Sequence, residues 1–187
     1  MSLVVTIAGS PAQQSRTLQL SEHVAAQVGA RGFDVCAINV RDLPPEDLVY
    51  ARGESTAVRN ALELVESALG IVILTPVYKA SYSGLLKTFL DLLPQYGLRD
   101  KVVLPLTVGG TSAHVLALDY ALRPVLLSLG APHVVGGLFI LDKLLQRTTE
   151  GALQIDPELG PRLDGVIADF TESLTRRGFD TRSVAVA

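Results

Sequence analysis

The sequence has little of what marks several large protein classes. A single cysteine, Cys36, occurs in 187 residues, so no internal disulfide can form and the chain suits a reducing compartment. Cys36 lies in the apolar run Val35-Cys36-Ala37-Ile38 and reads as a buried thiol rather than a nucleophile. Cations are not in excess: 16 Lys and Arg against 19 Asp and Glu leave a net charge of −3. With no lysine run and no basic amphipathic helix, there is no surface for counterion release, which argues against nucleic acid as a partner. The start, Met1–Ala8, lacks the basic segment of a secretion signal and falls far short of a membrane span. A cytoplasmic protein with no membrane partner and no metal site is therefore expected. Repeats and low-complexity segments are missing too. One domain over 1–178 is expected, followed by a flexible tail over 179–187.

What is present is alternation. Leu3–Ala8 is a short β-branched run, and Arg16–Val28 has helical spacing with Leu18, Leu20, Val24, Ala25 and Val28 on one stripe. Phe33–Val40 reads as a strand, and the stretch from Ser55 to about Ser67 as a helix. Gly70–Leu74 is apolar throughout, as a strand buried on both faces should be. A helix over 84–93, a strand over Val102–Val108 and a strand over His133–Ile140 follow. Leu141–Ile155 shows no clear period, and Pro157–Arg177 makes a last amphipathic helix. Strands alternating with helices predict an α/β fold: a five-stranded parallel sheet, order 2-1-3-4-5, with helices on both faces. Ligands of such sheets bind beyond the carboxyl ends of the strands, at the switch point between strands one and three.

Three loops fall there. The first, Gly9–Thr17, carries hydroxyls at Ser10, Ser15 and Thr17 and a guanidinium at Arg16, just before a helix. Helix N-terminal N–H groups, hydroxyls and a forked cation suit a phosphate monoester. Neither G-x-G-x-x-G nor G-x-x-x-x-G-K-[ST] is present, which argues against a pyrophosphate cradle; Ser15 would equally serve as an ordinary helix cap. The second loop, Thr75–Gly84, contains Pro76, Val77, Tyr78, Lys79 and Ser83. Tyr78 offers a face to a flat ligand and the turn offers backbone groups to its edge. Lys79 either neutralises an anion or is simply solvated. In the third, Gly109, Gly110 and Thr111 let backbone N–H groups approach a ring. No convincing catalytic dyad appears in any of them.

Taken together, Gly9-Ser10-Pro11 … Ser15-Arg16-Thr17, Thr75–Gly84 and Gly109-Gly110-Thr111 resemble the NADPH-dependent FMN reductases. Within that family they are similar to the reductases that serve two-component alkanesulfonate monooxygenases. The likeness runs from about Leu3 to Phe139, through Pro45-Glu46-Asp47-Leu48 and Leu85–Pro94, and nothing is carried over beyond about Leu141. It implies a flavodoxin-like fold, FMN and NADPH as cofactors, hydride transfer from NADPH to flavin N5, and release of reduced FMN to a flavin-dependent monooxygenase. Hydride transfer by stacking asks the protein to bind and orient and needs no nucleophile. An FMN-retaining quinone or azo reductase, and an electron carrier without NADPH activity, stay open as alternatives.

Ser112–Leu129 is apolar nearly all round and contains Pro124, so it is expected to be buried against another subunit. The resemblance implies a homodimer or homotetramer through this segment. It also implies a π-bulge at Tyr120, although Pro124 alone could disturb the helical ladder.

Overall fold

A computed structural model describes residues 2–184. The apolar runs found in the sequence become strands β1 (Leu3–Ala8), β2 (Asp34–Asn39), β3 (Gly70–Tyr78) and β5 (Val102–Gly109), all parallel. A short β4 (Ser81–Tyr82) folds back antiparallel on the end of β3. Two further pieces, β6 (His133–Val134) and β7 (Leu138–Leu141), both pair with β5. The sheet order is β2-β1-β3-β5 and then β6 with β7, which is the expected doubly wound arrangement with its last strand in two parts.

Pro105 explains the split. It sits in mid-strand in β5 and has no N–H to donate, so the neighbouring strand cannot keep its ladder there. That strand stays on β5 as far as the Val135 N–H, which donates to the Val103 carbonyl at 2.9 Å, leaves at 136–137, and rejoins at Leu138 opposite Leu106. At Gly137 the backbone passes against the Pro105 carbonyl and the Leu118 side chain, leaving no room for a Cβ.

Helices α1 (Arg16–Gly29) and α6 (Gly160–Val184) cover one face, through Leu20, Val24 and Val28 and through Leu163, Ile167 and Phe170. The other face is covered by α3 (Thr56–Ser67), α4 (Gly84–Leu90) and α5 (Arg123–Ser128), with the five-residue α2 (Pro45–Val49) beside them. Because β3 and β5 are buried on both faces, their alternate side chains feed both cores.

The segment expected to be one interrupted helix, 112–129, has three parts. Ser112–His114 is a 3-10 turn, Leu118–Leu122 a π turn, and α5 follows. The Arg123 N–H donates to the Leu118 carbonyl five residues back, and Pro124 next to it has no N–H to offer. The stretch without period, Leu141–Ile155, folds as a 3-10 turn (Asp142–Leu144) and a hairpin of β8 (Leu145–Arg147) with β9 (Leu153–Ile155). Helix α6 continues past Arg177 to Val184, further than periodicity predicts. Residues 185–187 of the expected tail lie outside the described residues. Among the described residues no helix is long and apolar enough to cross a membrane.

Replacing Gly137 by Ala should force the last strand away from Pro105 and lower stability by about 1–3 kcal/mol, the usual range for overpacking. Urea unfolding of the two proteins measures this, and equal midpoints would mean that the strand simply yields.

Candidate functional site

The site grows from the way the loop after β1 meets the start of α4. Gly9 donates its N–H to the Leu74 carbonyl at 2.8 Å, continuing the β1–β3 ladder by one residue. A Cβ at Gly9 would come within 2.6 Å of the Leu86 Cβ, so only glycine lets α4 pack this close. Ser83, buried at the N-cap of α4, donates its hydroxyl to the Gly9 carbonyl and accepts from the Leu86 N–H at 3.0 Å. Its own N–H donates to the Thr75 hydroxyl at 3.0 Å, which in turn donates to the Pro76 carbonyl. Thus the first and second loops are held at one place by buried hydrogen bonds.

Above this junction lies an open cleft of about 380 Å³ at the carboxyl ends of β1, β3 and β5. Its floor at one end is Ser10, Ser15, Arg16 and Thr17. The Ser15 hydroxyl caps α1 by accepting from the Leu18 N–H at 2.9 Å. Ser15 is therefore a cap and a lining residue at once. Ser10 and Thr17 are buried residues, yet among the described residues their hydroxyls have no partner inside the protein. The N–H groups of the first turn of α1 open beside them without intrahelical acceptors. At the other end Pro76, Val77 and Tyr78 form an apolar wall, and Gly109 and Gly110 present backbone. Tyr78 is 49% exposed, so its ring is free to be covered. Tyr82 is not an equivalent surface: burial raises its phenol pKa and it packs into the core behind the turn.

Three of the predicted residues stand off the cleft wall. Ser83 lies beneath it, as described. Lys79 and Ala80 form the two-residue turn between β3 and β4, with φ of 50° and 63°. That left-handed pair is the hairpin geometry normally given to Asn and Gly, so it holds the Tyr78 end of β3 in a strained turn. Thr111 accepts from the Ala113 N–H at 3.3 Å and caps the 3-10 turn that follows β5.

Four lining residues were not among the predicted ones: Gln14, Val108, Asp142 and Arg147. Asp142 lies 3.4 Å from Arg16, and both side chains are partly exposed. Arg147 comes from β8, and its Nε donates to the Gln19 side chain on α1 at 2.9 Å. For Arg147 the sequence signal is the alternation Leu145-Gln146-Arg147 and Leu153-Gln154-Ile155 on either side of Gly151, a short hairpin pattern.

The donor set sorts into two ends. Unpartnered hydroxyls, helix N–H groups and a guanidinium suit a phosphate, and an apolar wall facing glycine backbone suits a flat ring. Both ends together fit a phosphorylated flavin. Among the described residues no cluster of His, Cys, Asp or Glu could hold a metal ion. Substituting Ser83 by Ala should leave the Gly9 carbonyl unsatisfied and uncap α4, costing about 1–3 kcal/mol in chemical denaturation. A variant as stable as the parent would show that this junction is held otherwise.

Comparisons with known proteins agree with the geometry. The family model for NADPH-dependent FMN reductase matches residues 2–146, which include every cleft-lining residue except Arg147. The protein named FMN reductase (NADPH) of Escherichia coli strain K12 is 44% identical over 174 residues, covering 93% of this chain and 91% of that one. Its namesake from Pseudomonas putida KT2440 is 45% identical over 177 residues, covering 94% and 89%. The solved apo form of NADH:FMN oxidoreductase EmoB matches with a TM-score of 0.85 at 40% identity, over 92% of this chain and 90% of that one. A likeness that spans the sheet and every loop at its carboxyl edge leaves one assignment: the chain belongs to the NADPH-dependent FMN reductase family.

Proposed function

We propose that this chain oxidises NADPH to reduce FMN in the cytoplasm, through the single domain over 1–178. We propose further that it releases reduced FMN to a flavin-dependent alkanesulfonate monooxygenase. The observation that carries the first step is the pairing of two hydroxyls that have no protein partner among the described residues, those of Ser10 and Thr17, with an apolar wall at Tyr78 across one cleft. The names of the relatives at 44% and 45% identity support NADPH as donor and FMN as acceptor.

In this reading Ser10, Thr17, Arg16 and the backbone N–H groups of Ser15, Arg16 and Thr17 hold the phosphate. Pro76, Val77 and Tyr78 hold one side of the ring, with Gly109 and Gly110 along its edge. Lys79 and Thr111 shape the turns that flank that end, and Ser83 acts as a positioning residue through Gly9. FMN held there would supply the redox chemistry, as acceptor of a hydride from the nicotinamide. The protein's own contribution is orientation and exclusion, which is why its cleft needs no acid, base or nucleophile. Release is supported by the openness of the cleft: Arg16 and Tyr78 are both about half exposed, and Asp142 offsets the charge of Arg16.

We also propose that the π-turn face joins copies of this chain into a dimer or tetramer. Tyr120 is 77% exposed, and Val115, Leu116 and Leu127 are exposed apolar side chains on the same segment.

Steady-state turnover with FMN, FAD and riboflavin tests the reading directly. NADPH oxidation should follow added FMN, and Arg16→Ala should raise the KM for FMN about five- to tenfold while leaving that for riboflavin unchanged. A yellow protein that keeps its FMN through gel filtration and prefers quinones would favour a quinone or azo reductase instead, and absence of NADPH turnover would point to an electron carrier. Tyr120→Ala should lower the association state seen by sedimentation velocity at micromolar concentration, without changing the far-UV spectrum.

A further inference from the structure

We propose that Arg147, on the β8–β9 hairpin, binds a phosphate of the nicotinamide dinucleotide, and that the adenosine end enters the recess between that hairpin and α1. The proposal rests on the reading of the chain as an NADPH-dependent reductase. A second recess of about 310 Å³ adjoins the cleft and shares Gln14, Ser15 and Arg147 with it. Arg147 therefore faces both spaces from the boundary between them.

Two guanidinium groups line the cleft, and they differ in how their charge is met. Arg16 has the Asp142 carboxylate at 3.4 Å. Arg147 has only a neutral partner: its Nε donates to the Gln19 Oε1 at 2.9 Å, and among the described residues it makes no ion pair. The same Gln19 donates its Nε2 to the Gly151 carbonyl at 2.7 Å, so α1 grips the hairpin turn and fixes the arginine. One nitrogen is used for position and the terminal fork remains for an anion. The one other ionisable side chain lining the recess is Glu22; its remaining polar side chains are Ser15 and the amides of Gln13, Gln14 and Gln19. Amides both donate and accept, which suits a base and a ribose rather than a second metal-like charge.

The phosphate of FMN is already provided for by Ser10, Thr17 and the α1 terminus. A nicotinamide dinucleotide brings additional phosphates, and Arg147 is the cation that stands outside that cradle.

The test is calorimetric titration of NADP+ and NAD+ into FMN-saturated protein, for the parent, Arg147→Gln, Arg147→Lys and Gln19→Leu. Arg147→Gln should weaken NADP+ about ten- to a hundredfold, the worth of a charge-assisted phosphate contact. FMN affinity should stay within about twofold, and Arg147→Lys should recover most of the loss. Weakening of NADP+ alone assigns the 2′-phosphate and weakening of both nucleotides the pyrophosphate; either supports the proposal. Unchanged NADP+ binding, or a loss that falls on FMN instead, overturns it. Gln19→Leu, which loosens the arginine without removing its charge, should weaken NADP+ less than Arg147→Gln does; an equal loss in Gln19→Leu, or an Arg147→Lys variant that binds NADP+ no better than Arg147→Gln, also overturns the proposal, because the hairpin's position would then matter and not its charge. A parent protein that binds no NADP+ at all overturns the functional reading, and this proposal with it.

Discussion

A buried serine hydroxyl bridges the two loops on which everything else at the site is built. Ser83 Oγ joins the Gly9 carbonyl to the α4 N-terminus, and Ser83 N–H joins the same point to Thr75 on β3. Each of these groups is shut away from water, so each would cost free energy if it lost its partner. The polar end of the cleft leaves from Gly9 and the apolar end from Thr75. Their separation is therefore set by one small polar network and not by the flexible loop tips. Gly9 is part of the same constraint, because Leu86 can lie against the loop only where no Cβ intervenes.

Stability and function draw on the same sheet edge in different ways. Below the junction, β3 and β5 are sealed between two apolar cores and make a rigid base. Above it, Ser10 and Thr17 keep hydroxyls without a protein partner among the described residues, and Lys79-Ala80 hold a turn that suits other residues better. Unsatisfied donors and strained turns persist where the surrounding structure over-determines them and where a ligand is to be met. The Asp142 carboxylate, 3.4 Å from Arg16, partly neutralises the cation at the polar end of the cleft.

Much of the site was readable because it follows topology. Once alternating apolar runs imply a doubly wound sheet, the loops after its first, third and fourth parallel strands must share one edge. Ser10, Ser15, Arg16, Thr17, Pro76, Val77, Tyr78, Gly109 and Gly110 come together for that reason. Ser83 was legible as a site residue but not as a buried tie, since a hydroxyl looks the same in sequence whether it faces a ligand or a carbonyl. Lys79 and Thr111 are displaced from the wall by turns whose φ angles no periodicity reveals.

By itself the sequence determined which segments are strands and helices, and hence the fold, because burial on two faces or one face writes itself as a continuous or periodic apolar pattern. It also determined the chemistry available at each loop, through the residue types placed there. Only the tertiary structure decided that Pro105 divides the last strand, since that depends on which neighbour needs the missing N–H. Only the tertiary structure brought Asp142 and Arg147 to the cleft, from a 3-10 turn and the hairpin after it, more than a hundred residues beyond the loop they face. Contacts of that range have no local signature, because three-residue strands carry too little period to announce where they will pack.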